Sequence, residues 1–261
     1  MAIYNVGSSA PIQISQLFLS DFAQAAFWPG QIGYVALYSV AHSATQVATN
    51  TAAIRSQMAA RGVTIPALTQ LLVFEGDSIT DPTVGPGTVT AAQKYYSLLQ
   101  FAMSPFPQGG NDAVSGSGMT QVNARAPTID SWFSGISGVK VLMIFLGAND
   151  QGDGASTFEA NLKAYCLARK AASPGLKVVV GTLLPQTTSG FNTFRDAVNA
   201  LIYADTSGWY DALADFAANP TIGCDSGCAG NTTYYVDGEH PTAAGHAIMG
   251  TIALAAIQSV W

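Results

Sequence analysis

The sequence predicts an α/β fold built on a parallel sheet, and three observations carry the prediction. Short apolar runs bounded by turn signals recur at Leu71–Phe74, Val139–Leu146 and Lys177–Leu184, each suited to a strand buried on both faces. Stretches of helical length and spacing separate them, such as Ser156–Ala172 and Phe191–Ala204. The first apolar run stops abruptly in Gly76-Asp77-Ser78, at the carboxyl end of a strand, where open α/β sheets place their chemistry. Strands alternating with helices in this way form βαβ units.

Residues 1–67 read as a separate, mainly helical arm. Asp21, Arg55 and Arg61 are its only charged residues. A short helix is expected over Ile12–Phe27, broken by Trp28-Pro29-Gly30, and a strand over Val35–Val40. A longer helix is expected over Ser43–Arg61: Ser43 can cap it, Val47, Ile54 and Met58 share a face, and Gly62 ends it. Pro66 marks the boundary with a main domain over residues 68–261. The arm holds no catalytic motif, and packing against the main domain is favoured over oligomerisation or attachment.

In the main domain, Ala91–Met103 reads as a helix with Tyr95, Leu98, Leu99 and Ala102 on one side. A short strand is expected around Asp112–Val114, and another at Trp209–Leu213. The last helix, Pro241–Val260, is apolar on most sides and hence expected to be well buried.

Composition narrows the function classes. The chain has 261 residues, enough to bury a large core, and no apolar run reaches transmembrane length. Only 10% of residues are charged, and the formal net charge of −6 argues against a nucleic-acid partner, which requires a basic face. Cys224 and Cys228 flank Asp-Ser-Gly, a spacing that suits a small disulfide loop; Cys166 falls in a helical pattern and reads as a buried thiol. A disulfide points to an oxidising compartment and a secreted or extracellular protein, although the N-terminus lacks the plan of a signal peptide. The histidines and acids show no grouping that would hold a catalytic metal, and no cofactor is expected.

Four short blocks fall at the ends of these elements: Gly76-Asp77-Ser78-Ile79-Thr80, Ala113-Val114-Ser115-Gly116, Leu146-Gly147-Ala148-Asn149-Asp150 and Asp237-Gly238-Glu239-His240-Pro241. A serine becomes a nucleophile when a base takes its proton, and histidine has the pKa for that task. A carboxylate must hold the imidazole in one tautomer. Asp237 precedes His240 by three residues, so a turn can fold it back onto the ring. The tetrahedral oxyanion needs donors, which the backbone amides of Ser78 and Gly116 and the side-chain amide of Asn149 can supply.

These blocks, in this order, resemble the SGNH hydrolase family, also called GDSL esterases and lipases, over about residues 70–261. The resemblance implies Ser78 as nucleophile, His240 as base and Asp237 as its orienting acid, with Ser78, Gly116 and Asn149 forming the oxyanion hole. It also implies a flavodoxin-like three-layer fold with a mostly parallel five-stranded sheet. One departure stands out. Members often carry a glycine soon after the serine block, whereas here Asp81-Pro82-Thr83-Val84-Gly85-Pro86-Gly87 follows. The Gly-x-Ser-x-Gly elbow of α/β-hydrolases is absent, because Thr80 fills its last position.

Asp77 and Asp150 adjoin these blocks and are expected to hydrogen-bond the backbone of their own turns. His42 and His246 read as structural, and Tyr234 and Tyr235 are equally compatible with packing or with lining the site. The leading expectation is a carboxylic ester hydrolase acting on short acyl esters of sugars or of aryl or alkyl alcohols, with a small molecule or polysaccharide as substrate. Lysophospholipase and thioesterase activities remain open. The alternative is a carbohydrate-binding or virion-attachment module that kept the fold without turnover. The sequence leaves oligomeric state undetermined.

Overall fold

The computed structural model describes residues 69–83, 85–103 and 109–261, together with positions 53, 56, 59, 60 and 62. The helix expected over Ile12–Phe27 and the strand over Val35–Val40 lie outside the described residues. The helix expected over Ser43–Arg61 is described only at 53, 56, 59 and 60, which are helical. The unit Leu68–Trp261 carries all that follows.

Five strands form one sheet: β1 (Gln70–Gly76), β2 (Gly109–Asn111), β3 (Val139–Phe145), β4 (Lys177–Gly181) and β5 (Ala212–Ala214). All neighbouring pairs are parallel, in the order β2-β1-β3-β4-β5. This is the flavodoxin-like order, with its reversal between β1 and β3. The central strands are apolar on both faces: Leu71 and Val73 of β1 join one core with Leu142 and Ile144 of β3, while Leu72 and Phe74 join a second with Val141, Met143 and Phe145. Period-two alternation thus sends a continuous apolar run into two separate cores.

The helices are α1 (Tyr95–Ala102), α2 (Met119–Phe133), α3 (Ala155–Ala172), α4 (Phe191–Ala204), the short α5 (Ser226–Ala229) and α6 (Ala243–Gln258). α2, α3 and α4 cover the first face through Val122, Ile129, Phe158, Leu162 and Val198. α1 and α6 cover the second through Tyr95, Leu99, Met249 and Ala253. Among the described residues, no helix is long and apolar enough to cross a membrane.

Four expectations are corrected. The segment Ala91–Met103 is not one helix: a 3-10 turn over Ala91–Gln93 is followed by an extended Lys94 (φ −76, ψ 149) before α1 begins. The short strand lies at Gly109–Asn111 rather than Asp112–Val114. Beyond its end the chain still follows β1, with the Asp112 and Val114 amides donating to Phe74 O and Gly76 O at 2.9 and 3.3 Å. The last strand is Ala212–Ala214, slightly later than Trp209–Leu213. Finally, α6 starts two residues after Pro241, because Thr242 is its cap and accepts the Gly245 amide at 3.2 Å. Cys224 and Cys228 are bonded to each other, with Cα atoms 5.3 Å apart, while Cys166 is buried and free.

Candidate active site

β1 delivers Ser78 at the crevice where the sheet order reverses. The strand ends at Gly76, and a side chain there is impossible: a Cβ would lie 2.3 Å from the Phe145 carbonyl of β3. After it the chain makes one helical turn, with the Thr80 and Asp81 amides donating to Asp77 O at 3.1 and 2.8 Å. This turn presents the Ser78 side chain to the crevice, partly exposed.

His240 arrives from the loop before α6. The Asp237 carboxylate folds back over three residues: Oδ1 accepts the Glu239 and His240 amides at 3.1 and 2.8 Å, and Oδ2 lies 2.8 Å from His240 Nδ1. A carboxylate can only accept, so Nδ1 carries the proton and Nε2 is left as acceptor. Nε2 is 2.8 Å from Ser78 Oγ, and the hydroxyl donates to it. Burial works to raise the Asp237 pKa. The hydrogen bonds and charge of His240, with the Glu239 amide, outweigh it and hold the carboxyl below its usual range. Asp237 therefore stays ionised beside the ring.

The candidate donor groups follow three neighbouring strands, β1, β2 and β3. Gly116 follows β2 in a left-handed conformation (φ +75) with open space where a Cβ would stand, so the backbone shape rather than crowding demands glycine. Asn149 follows β3, and its Nδ2 donates to Ser117 O at 3.0 Å, which orients the amide. Arg125 of α2 holds the same loop through Ser117 Oγ at 3.0 Å. Among the described residues, neither the Ser78 nor the Gly116 amide has a hydrogen-bond acceptor in the protein. Two backbone N–H groups, and the second hydrogen on Asn149 Nδ2, can therefore serve an oxyanion.

The two acids beside the blocks behave differently from one another. Asp77 is buried and does cap its own turn, accepting the Ile79 amide at 3.1 Å. Burial pushes its carboxyl up to about 7, with the Glu239 charge adding to the rise. Asp150 does not cap its own turn; it accepts the Met119 amide at 2.8 Å and so caps the N-terminus of α2 from across the site.

His246 lies on α6, buried and stacked on Tyr95 at 6.2 Å, and burial pushes its pKa down to about 3. It borders the same cleft as Ser78 and His240. Tyr235 is a packing residue: it is buried, and its hydroxyl donates to Ile222 O at 2.5 Å. His42 lies outside the described residues. Sequence reading missed Lys94, whose buried ammonium donates to Ser78 O at 2.9 Å and Asp81 O at 2.6 Å. A lysine inside a helical pattern gives no local signal of such a contact. Among the described residues, no group of three or more His, Cys, Asp or Glu could hold a metal ion.

Two small clefts, each with room for about one water molecule, lie by the nucleophile turn. One is bordered by Ser78, Val89, Lys94, His240 and His246. The other is bordered by Ile79, Phe145, Leu183, Phe191 and Glu239.

Comparison with known proteins agrees with this architecture. Solved structures with the same fold include TesA (TM-score 0.58, 21% identity, 74% of this chain and 100% of that one). A mutant of Axe2, an acetyl-xylooligosaccharide esterase from Geobacillus Stearmophilus, gives a TM-score of 0.52 at 19% identity over 73% of this chain and 95% of its own. The psychrotrophic esterase EstA from Pseudoalteromonas sp. gives 0.54 at 16% identity over 73% and 97%. No curated protein sequence matches the chain. The profile of the GDSL-like Lipase/Acylhydrolase family matches residues 74–248, well over half of the chain, and includes every block described above. The chain belongs to the GDSL-like lipase/acylhydrolase family, a family of ester-type hydrolases.

Proposed function

We propose that the protein is a carboxylic ester hydrolase that works through an acyl-enzyme on Ser78 and prefers short acyl groups. The observation that carries the reading is the continuous chain from Ser78 Oγ to His240 Nε2 and from His240 Nδ1 to Asp237 Oδ2, each link 2.8 Å. His240 takes the Ser78 proton as Oγ attacks the ester carbonyl. The developing oxyanion is stabilised by the Ser78 and Gly116 amides and the Asn149 side chain. Collapse of the intermediate breaks the bond to the alcohol, and the imidazolium returns its proton to the leaving oxygen. Water, deprotonated by the same imidazole, then attacks the acyl-enzyme, releasing the acid and restoring Ser78.

The preference for short acyl groups is supported by the two clefts, each with room for only about one water molecule, so neither is a preformed channel for a long chain. A sugar, aryl or small alkyl alcohol, free or on a polysaccharide, fits as the other half of the ester, since the catalytic loop is open to solvent at Asp237 and Asn149. An oxidising, extracellular setting suits the Cys224–Cys228 pair. The competing reading, an attachment module without turnover, is separated by one experiment. A p-nitrophenyl ester series from acetate to longer chains is run with wild type and Ser78→Ala. Turnover confined to wild type and falling with chain length supports the proposal; equal rates for both proteins exclude the enzyme reading.

A further inference from the structure

Lys94 breaks several local rules at once. It sits at the N-terminal cap of α1, where the helix dipole disfavours a cation, and its side chain makes no cap bond. It is only 1% exposed, although a buried ammonium is disfavoured unless its donors are used. Such conflicts between local preference and structure concentrate where function requires them.

The donors are used on the nucleophile turn. Nζ donates to Ser78 O at 2.9 Å and to Asp81 O at 2.6 Å, gripping two carbonyls of the helical turn after β1. In a helical turn the carbonyls and amides point in opposite directions, so a hold on the carbonyls aims the amides away from Lys94. The adjacent Tyr95 hydroxyl adds a third tie to this turn, 3.0 Å from Thr80 Oγ1. Asp81 extends the hold to the next block. Its Oδ2 accepts the Ser115 amide at 2.5 Å and its Oδ1 the Thr83 amide at 2.7 Å. Ser115 directly precedes Gly116. A continuous polar connection therefore runs from the Ser78 carbonyl through Lys94 and Asp81 to the Gly116 loop.

We propose that Lys94 and Asp81 are positioning residues of the ester-cleaving site. Lys94 fixes the Ser78 turn through its carbonyls, and Asp81 fixes the Gly116 loop through the Ser115 amide, so the two backbone donors for the oxyanion keep one separation. The proposal rests on the reading of Ser78 as nucleophile and of the Ser78 and Gly116 amides as oxyanion donors.

The test uses the full chain, p-nitrophenyl acetate, and active-site counts from stoichiometric fluorophosphonate titration. Lys94→Met and Asp81→Asn are each expected to lower kcat per titrated site about 10- to 100-fold, the range for a small misplacement of catalytic groups, with KM nearly unchanged. In Lys94→Ala, added n-propylammonium is expected to restore part of kcat, while tetramethylammonium, which has no N–H donor, restores none. A purely structural lysine would show lost sites or a lower melting temperature without this rescue. Values of kcat within threefold of wild type in both Lys94→Met and Asp81→Asn overturn the proposal, as does a folded Lys94→Ala protein that n-propylammonium leaves unchanged. If Lys94→Ala does not fold, Lys94→Met, which keeps the volume, decides the role of the ammonium. A wild type without activity overturns the ester reading and this proposal together, whereas an active wild type with fully active variants overturns the proposal alone.

Discussion

Glu75→Gln tests the electrostatics of the strand that carries the nucleophile. Glu75 is fully buried on β1; the Tyr165 hydroxyl donates to its Oε2 at 2.5 Å, and its Oε1 has no hydrogen-bond partner among the described residues. Burial pushes the carboxyl from its ordinary 4.5 up to about 7, with the Tyr165 bond working against the rise and Asp112 adding to it. The folded state therefore holds a proton that the unfolded chain gives up above pH 4.5. Stability contributed by the neutral acid is fully present below pH 4.5, falls through the window from 4.5 to 7, and is lost above it. At about 1.36 kcal/mol per tenfold change in proton affinity, the rise amounts to on the order of 3 kcal/mol. Glutamine keeps the shape and the acceptor for Tyr165 but has no proton to lose. Urea unfolding of both proteins from pH 4.5 to 8.5 should show Glu75→Gln gaining on wild type by on the order of 3 kcal/mol across the range. The difference between the two curves isolates Glu75 from Asp77, which titrates in the same window. A difference that stays flat with pH would show that Glu75 is not neutral in the fold.

Other expectations follow from the same geometry. Asn149→Ala removes one proposed oxyanion donor and should lower kcat about 100-fold or more while KM changes little, measured with p-nitrophenyl acetate. Asp237→Ala leaves His240 without its orienting acceptor; kcat/KM should fall by at least about 100-fold, and an unchanged value would remove Asp237 from the catalytic chain. Cys224→Ser opens a loop of sequence separation 4, for which chain entropy predicts a loss of about 2 kcal/mol in urea unfolding under oxidising conditions. Under full reduction the same comparison should show no difference.

Much of the site is legible in the chain because its residues sit in short blocks next to strand ends. The apolar run Leu71–Phe74 announces β1, and Gly76 is obligatory where the strand meets the Phe145 carbonyl. The turn that folds Asp237 onto His240 follows from a three-residue spacing. What escapes a linear reading is contact between blocks. Asp150 looks like the cap of its own turn, yet it caps α2 at Met119, a contact visible only once the sheet brings the two loops together. Lys94 looks like one polar residue in an amphipathic helix, and only the tertiary fold places its ammonium on the Ser78 carbonyl. The helix α2 is hard to read from the sequence for a different reason. Its buried Met119, Val122, Ala126, Ile129 and Phe133 keep helical spacing, but polar neighbours dilute the pattern and Pro127 reads as a breaker.

Trapping the acyl-enzyme shows whether Ser78 carries the acyl group. Rapid mixing of enzyme with p-nitrophenyl acetate, followed by an acid quench and peptide mass analysis, should find an acetyl group on the peptide containing Ser78. The accompanying burst of p-nitrophenol should equal the count of fluorophosphonate-titrated sites, and Ser78→Ala should show neither signal. Acetylation elsewhere with Ser78 unmodified, or a burst that survives Ser78→Ala, would rule out Ser78 as the nucleophile.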